Sequence, residues 1–121
     1  MNRLQHFLRA KTQFNLHSPF VYGLYTEVLF SRAPGVPRGR YEGALWRLER
    51  HYGVAADRRP DGEAVFSCSD GDFLVLNHPH RREARWQAVM DDPRWQVTLD
   101  FFSYGIAVRN PRLSHQHFIL R

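Results

Sequence analysis

The sequence predicts an α+β or α/β fold, in which N-terminal helices are followed by a small mixed sheet and one further helix. Apolar residues recur at three- and four-residue spacing up to about residue 53, a pattern typical of amphipathic helices. From about residue 63, short apolar runs alternate with turn-forming residues, as in β-strands. The 121 residues, 43% of them hydrophobic and 24% charged, suffice for one compact core. We therefore expect a single domain over 1–121, helical in 1–53 and strand-rich in 63–121.

Three helices account for the first half of the chain. Their apolar faces would be formed by Leu4, Phe7 and Leu8, then by Phe20, Leu24 and Val28, and then by Tyr41, Leu45 and Leu48. Ser18 and Pro19 favour the start of the second helix, because serine accepts bonds from free amides and proline suits the first turn. This helix should end near Ser31, before a loop rich in proline and glycine. The third is expected from Arg40 to Tyr52.

A β-hairpin is expected where the second half begins. The polar stretch 57–62 has the composition of a turn, and the apolar run 64–68 after it is typical of a strand. Asp70 and Gly71 are a two-residue turn signal, so Phe73 to Leu76 should pair antiparallel with that strand.

One helix and two or three strands complete the prediction. Trp86, Val89 and Met90 form an apolar stripe at helical spacing. This helix must end close to Asp92, because Pro93 disfavours a helical residue before it. Strands are then expected at 96–102, 106–108 and 117–120.

Charge and cysteine content narrow the function classes. The net charge is +5, but the basic residues are interleaved with acidic ones and form no single block. Arg40, Arg47 and Arg50 would lie near one helix face, so nucleic-acid binding through them is an alternative that we do not favour. The single cysteine, Cys68, excludes an internal disulfide. No apolar run matches a membrane span or signal peptide, so we expect a cytoplasmic protein without membrane contact.

Three stretches resemble one enzyme family. Lys11 to Phe20, with its run His-Ser-Pro-Phe at 17–20, resembles the N-terminal signature of a Bacteroidota group of class I S-adenosylmethionine-dependent methyltransferases. The runs 97–106 and 115–121 are similar to the closing strands of the same group. Between them, Phe73 to Trp86 lies where the family has a strand, an acidic pair followed by a hydrophobic residue and a histidine, and then a helix. The resemblance implies a Rossmann-like fold and covers about the first 50 and the last 50 residues.

The middle of the chain departs from this family. A complete enzyme there holds its first strand, a glycine-rich turn for the methionine part of the cofactor, and an acidic residue for the ribose hydroxyls. Between Tyr52 and Asp72 no G-x-G pattern follows a strand and precedes a helix. We therefore interpret the chain as a truncated, Rossmann-like methyltransferase remnant and expect no cofactor.

The acidic pair of the family is also missing. Asn77 to His80 stands in its place, so that only His80 matches, and the groups best suited to hold a cation or take a proton are lost. Asp100 lies within an otherwise apolar strand and needs a buried partner, for which we expect an arginine. His80 and Asp100 are therefore weak catalytic candidates, and for Asp100 a structural ion pair or a solvent-facing position is favoured over catalysis.

His78 and His80 are also weak candidates for metal ligands. An i, i+2 spacing puts both rings on one face of an extended chain, as transition-metal ligands often are. Two histidines without a cysteine nearby make an incomplete site, so we expect no metal there.

Three functions follow from these observations. The favoured one is a non-catalytic, truncated methyltransferase-like domain that acts in self-association or in binding a protein partner. A homodimer is expected because removal of central strands leaves a sheet edge and apolar surface to cover, although the hairpin at 64–76 could close that gap. The first alternative is a residual methyltransferase whose S-adenosylmethionine site is completed by oligomerisation. The second is an arginine-rich nucleic-acid-binding protein, whose affinity would fall steeply with salt.

Overall fold

Helices lie on both faces of a six-stranded sheet in the computed structural model of this chain, which describes residues 19–30 and 33–120. The expected first helix around Leu4 to Leu8, the helix-start signal at Ser18, and His17 lie outside these residues. Within them, no helix combines the length and apolar composition that a membrane span requires.

The helices fall close to their expected positions. Helix α1, Pro19–Gly23, continues into a π-helical turn, Leu24–Leu29, and so ends just before Ser31. Helix α2 is Arg40–Tyr52, as the sequence predicted, and it ends at Gly53 in the left-handed conformation. A 3₁₀ turn, Pro79–Arg81, precedes helix α3, Glu83–Asp91.

The π-helical turn was not predicted from the apolar spacing. The Thr26 hydroxyl donates a hydrogen bond of 2.8 Å to the carbonyl oxygen of Tyr22, four residues earlier. That oxygen is the acceptor that the Thr26 amide uses in a regular α-helix, so the side chain competes with the α-helical ladder at this point.

Six strands form the sheet: β1 Asp57–Arg59, β2 Glu63–Cys68, β3 Gly71–Asn77, β4 Val97–Asp100, β5 Tyr104–Arg109 and β6 Gln116–Ile119. Their order is β1-β2-β3-β5-β4-β6. Among the described strands, only the pairing of β4 with β6 is parallel. The chain is therefore α+β with a mixed sheet, as expected.

Two details of the sheet differ from the prediction. The hairpin of β2 and β3 turns at Ser69 and Asp70, one residue earlier than expected, because Cys68 pairs with Gly71. The stretch 57–59, expected to belong to a turn, forms β1 and pairs with β2. All three residues of β1 are charged and exposed, and the turn proper follows at 60–62.

The hydrophobic core occupies both faces of the sheet, because side chains alternate along each strand. On one face, Phe73 and Val75 belong to the larger cluster, together with buried residues of α1 and α2. On the other face, Leu74 and Leu76 pack with Trp86 of α3 in a smaller cluster. Through the larger cluster, helices α1 and α2 and one face of the sheet share a single core.

Helix α3 is held to β2 by a buried carboxylate. Glu63 is only 3% exposed, and it accepts hydrogen bonds from Arg85 at 2.9 Å and from Arg82 at 2.7 Å. The hydrogen bond from Arg85, followed by that from Arg82, holds the pKa of Glu63 below its usual value although burial opposes this. The carboxylate therefore stays ionised at neutral pH and keeps both arginines in place.

Strands β3 and β4 run parallel to each other, because each pairs antiparallel with β5 between them. Helix α3 connects them, which makes a strand–helix–strand crossover. The carboxyl ends of β3 and β4 therefore reach the same edge of the sheet, which we call the carboxyl edge, and the β4–β5 turn lies between them.

Replacement of Gly71 by alanine should destabilise the protein by about 3 kcal/mol. Gly71 has a φ of 120°, and a Cβ built there overlaps the carbonyl oxygen of Arg109 in the neighbouring strand. Urea denaturation followed by tryptophan fluorescence measures the effect. Gly23→Ala is the matched control, because a Cβ at this helical position meets nothing within 4 Å. Equal stability of the two variants would contradict the described hairpin.

Candidate functional site

The carboxyl edge brings together two residues that the sequence singled out. His80 Nε2 lies 2.6 Å from Asp100 Oδ2, and Asp100 is only 2% exposed. The second carboxylate oxygen accepts a hydrogen bond of 2.9 Å from the Phe102 amide. Both oxygens of Asp100 are therefore engaged within the chain.

The described side chain that reaches Asp100 is His80, whereas the sequence led us to expect an arginine. The arginines that follow His80 closely, Arg82 and Arg85, bind Glu63 on β2. The 3₁₀ turn that starts at Pro79 places His80 beside the end of β4, where its imidazole reaches the carboxylate. The carboxyl edge therefore contains a buried histidine–carboxylate pair.

Left-handed backbone conformations bring the two loops of this edge together. His78 has a φ of 48° and Phe102 a φ of 70°, a region that residues other than glycine seldom adopt. The His78 amide donates a hydrogen bond of 2.9 Å to the carbonyl of Ser103, and the His80 ring stacks on Phe102 with centroids 5.4 Å apart. The loop after β3 is thus fixed to the β4–β5 turn.

A cavity of about 280 Å³ lies on the α3 side of this junction, lined by residues that include His80, Glu83, Trp86, Asp100 and His117. Trp86 is 3% exposed, and its indole N–H has no hydrogen-bond partner among residues 19–30 and 33–120. Thr98 Oγ1 and His117 Nδ1 are 2.6 Å apart, and partial loss of hydration lowers the pKa of the His117 imidazole. This smaller cavity is therefore lined by two imidazoles and an indole ring.

A larger cavity of about 650 Å³ lies on the opposite side of the junction. It is formed by the first turn of α2, by β1 with the turn after it, and by the loops that carry His78 and Ser103. Three arginines line it, Arg40, Arg58 and Arg59, and Glu42 is the acidic residue in the same lining. The carboxyl edge therefore separates two cavities of different chemistry.

His78 and His80 do not form a pair of metal ligands. The backbone is not extended there, because His78 is left-handed and Pro79 begins the 3₁₀ turn, so the two rings line different cavities. Burial, with a smaller effect of the Arg81 charge, lowers the pKa of His78. Among the described residues, no group of three or more histidine, cysteine or carboxylate side chains is arranged to hold a metal ion.

The three arginines of α2 lie in different surroundings. The guanidinium of Arg40 lies over the Tyr104 ring at 5.9 Å, and that of Arg50 over the Trp46 ring at 5.0 Å. Arg47 packs close to Gly43. Two of the three charges are thus held against aromatic rings of the same chain.

Cys68 has the environment of an inert thiol. It is partly buried in β2, and this burial raises the pKa of the thiol. Trp86 and Ser103 were not identified as site residues from the sequence, because neither belongs to a motif. No sequence signal pointed to Ser103, because a strand was expected to continue to residue 102, whereas β4 ends at Asp100 and Ser103 lies in the turn that follows.

The fold and this edge define an α+β domain with two cavities beside a buried histidine–carboxylate pair. No protein-family model, curated protein or solved structure matches the chain.

Removal of the Asp100 carboxylate should destabilise the protein. Asp100→Ala leaves the Phe102 amide and the His80 ring without their buried partner, and we expect a loss of about 3 kcal/mol. Asp100→Asn keeps an acceptor for the Phe102 amide and a polar group beside the His80 ring, so it should cost only about 1 kcal/mol. Urea denaturation measures both.

The control for this pair is Asp91→Ala, which removes an exposed carboxylate at the end of α3 and should change stability by about 0.5 kcal/mol or less. If Asp100→Ala behaved like Asp91→Ala, the buried pair would not hold the two loops together.

Proposed function

We propose that this chain is a non-catalytic, truncated methyltransferase-like domain that acts by binding protein, with a second copy of itself as the first partner to test. The strand–helix–strand unit of β3, α3 and β4 supports this proposal, since such units build Rossmann-like sheets. Strand β3 and helix α3 lie within the stretch Phe73 to Trp86, where the resemblance expects a strand and a helix.

The observation that supports the proposal most strongly is the hairpin formed by β2 and β3. A methyltransferase of this family has a glycine-rich cofactor turn between its N-terminal helices and this part of the sheet, whereas this chain has the tight turn at Ser69 and Asp70. The Asp70 carboxylate accepts a hydrogen bond of 2.6 Å from the Tyr52 hydroxyl, and its carbonyl accepts one of 3.0 Å from Asn110. The polar groups of this turn are thus used within the chain.

The arrangement of Asp100 supports a non-catalytic role as well. A general base needs an acceptor that can reach substrate, and both Asp100 oxygens are hydrogen-bonded to groups of the same chain. His80 is stacked on Phe102 and bonded to Asp100, so the pair acts as a connection between two loops.

Self-association through the β1 edge is disfavoured. Strand β1 is three residues long and fully charged, features that prevent edge-to-edge pairing, and the β2–β3 hairpin fills the gap that the missing strands would leave. Helix α1 and the π-helical turn after it offer a different surface. Tyr22 in α1 is 44% exposed, and Phe30, directly after the turn, is 46% exposed. Exposed aromatic side chains are enriched in protein interfaces, so we place the protein contact there.

A second candidate function is favoured by the smaller cavity. His80 and His117 line it together with Trp86, whose buried indole N–H has no partner in the described part of the chain. A ligand or a second chain that supplies an acceptor for this N–H would complete the site, as the residual methyltransferase alternative requires. The next experiment separates the two candidates.

Isothermal titration of the folded protein with S-adenosylmethionine should give no saturable heat. The reason is that the hairpin turn leaves no glycine-rich backbone for the cofactor to approach. Circular dichroism on the same sample establishes that the protein is folded. Saturable one-to-one heat would overturn the non-catalytic proposal, and its loss in the Asp100→Asn variant would assign the binding to the smaller cavity.

Self-association should depend on the exposed aromatic side chains of helix α1 and the π-helical turn, Tyr22 and Phe30. Light scattering during size-exclusion chromatography, at increasing protein concentration, should show a dimer whose population falls in the Tyr22→Ser, Phe30→Ser double variant. Glu27→Ser is the control, because Glu27 is an exposed residue of the same helix. A monomer at all concentrations excludes the second copy as partner, and an unchanged dimer in the double variant places the contact elsewhere.

A further inference from the structure

We propose that the free edge of strand β6 pairs antiparallel with β6 of a second copy of this chain, so that the two sheets become one. The contact shares its partner with the proposed function, but it uses backbone groups instead of the side chains of Tyr22 and Phe30. Each contact can therefore fail without the other. Three observations support the edge contact: the unpaired backbone groups of β6, the absence of charge along it, and the register in which two copies fit.

The first observation is the hydrogen bonding of β6. This strand is the last in the sheet order and pairs with β4 on one side. The amides of Gln116 and Leu120 both donate hydrogen bonds of 2.8 Å toward the β4 side. Because the backbone groups of successive residues point to opposite edges of a strand, those of His117 and Ile119 point away from β4. They have no hydrogen-bond partner among the described residues, so they form an open sheet edge.

The second observation is the composition of this edge. Residues 113–120 contain no carboxylate, arginine or lysine, whereas all three residues of β1, the opposite outer strand, are charged. Charged side chains are a common protection of sheet edges against pairing with another chain. In a two-fold pairing each strand faces a copy of itself, so a charged strand repels its partner and an uncharged one does not. Of the two outer strands, β6 is therefore the one that permits self-pairing.

The third observation is the register that the outward groups define. In an antiparallel ladder, two residues that both direct N–H and C=O toward the partner form a hydrogen-bonded pair and exchange both bonds. In β6 these residues are His117 and Ile119, so His117 of one copy lies opposite Ile119 of the other, and Phe118 lies on the two-fold axis. All the outward groups of His117 and Ile119 are then used. This register also places each His117 ring beside an apolar side chain instead of a second imidazole.

The pairing has a consequence for the smaller cavity. His117 and Ile119 both line it, since alternate residues of a strand project from the same face of the sheet. Antiparallel pairing brings Ile119 of the second copy beside His117 on this face. The second copy therefore adds to the wall of the smaller cavity.

The test is disulfide trapping in a Cys68→Ser background, which removes the native thiol. His117→Cys and Ile119→Cys variants are mixed in the reduced state and then oxidised mildly, and crosslinked dimers are followed by non-reducing electrophoresis. The Cα atoms of the proposed pair are about 5.5 Å apart, a separation that a disulfide spans. Like positions are diagonal neighbours about 7–8 Å apart, so the mixture should crosslink about tenfold faster than either variant alone.

The matched control is a mixture of His117→Cys with Ser67→Cys, because Ser67 is an exposed strand residue of β2. Equal rates in the two mixtures would overturn the proposal. Faster linkage of His117→Cys with itself than with Ile119→Cys would contradict the register and overturn it as well.

The same trapping in the Tyr22→Ser, Phe30→Ser background separates the two contacts. Crosslinking at an unchanged rate supports a contact at the β6 edge that does not need the aromatic side chains, and its loss would overturn the edge contact. Light scattering of the parent and the double variant tests the aromatic contact independently.

Discussion

The contact between His80 and Asp100 is the constraint on which the carboxyl edge depends. A carboxylate that is 2% exposed loses its hydration, and hydrogen bonds with His80 and the Phe102 amide compensate for this loss. The same contact holds the loop after β3 against the β4–β5 turn. That junction forms a wall of both cavities. The buried pair therefore fixes the positions of His78 and Ser103 in the larger cavity and of His80 in the smaller one.

A second buried carboxylate, Glu63, neutralises two of the arginines, Arg82 and Arg85. Glu63 is held ionised by Arg85 and Arg82, so its stabilising effect is present above its ordinary pKa and is lost as the pH falls below it. Asp72, at the other end of β3, forms an ion pair with Arg109. The net charge of +5 is therefore less evenly available than the sequence indicates, because several arginines are held in ion pairs within the described residues.

Local signals in the sequence predicted most of the elements. Helix α2 was predicted from Arg40 to Tyr52 because prolines and glycines precede it, and α3 ends at Asp91 because Pro93 follows. The partner of Asp100 was missed, since His80 lies 20 residues earlier and meets it only after a crossover. Strand β1 was missed for a similar reason, because its charged residues pair with β2 through backbone atoms that no side-chain pattern reveals.

The two cavities were not predicted for the same reason, because local sequence patterns do not reveal contacts between residues that are distant in the chain. Each is assembled from loops that are distant in sequence, and the chemistry of each depends on which side chains are already used. An antiparallel hairpin needs only a two-residue turn, whereas a parallel neighbour for β3 needs a crossover of a dozen or more residues. The short hairpin therefore completes the sheet within the chain. Within the described residues, the surfaces that this arrangement leaves open include the two cavities at the carboxyl edge and the exposed rings of Tyr22 and Phe30.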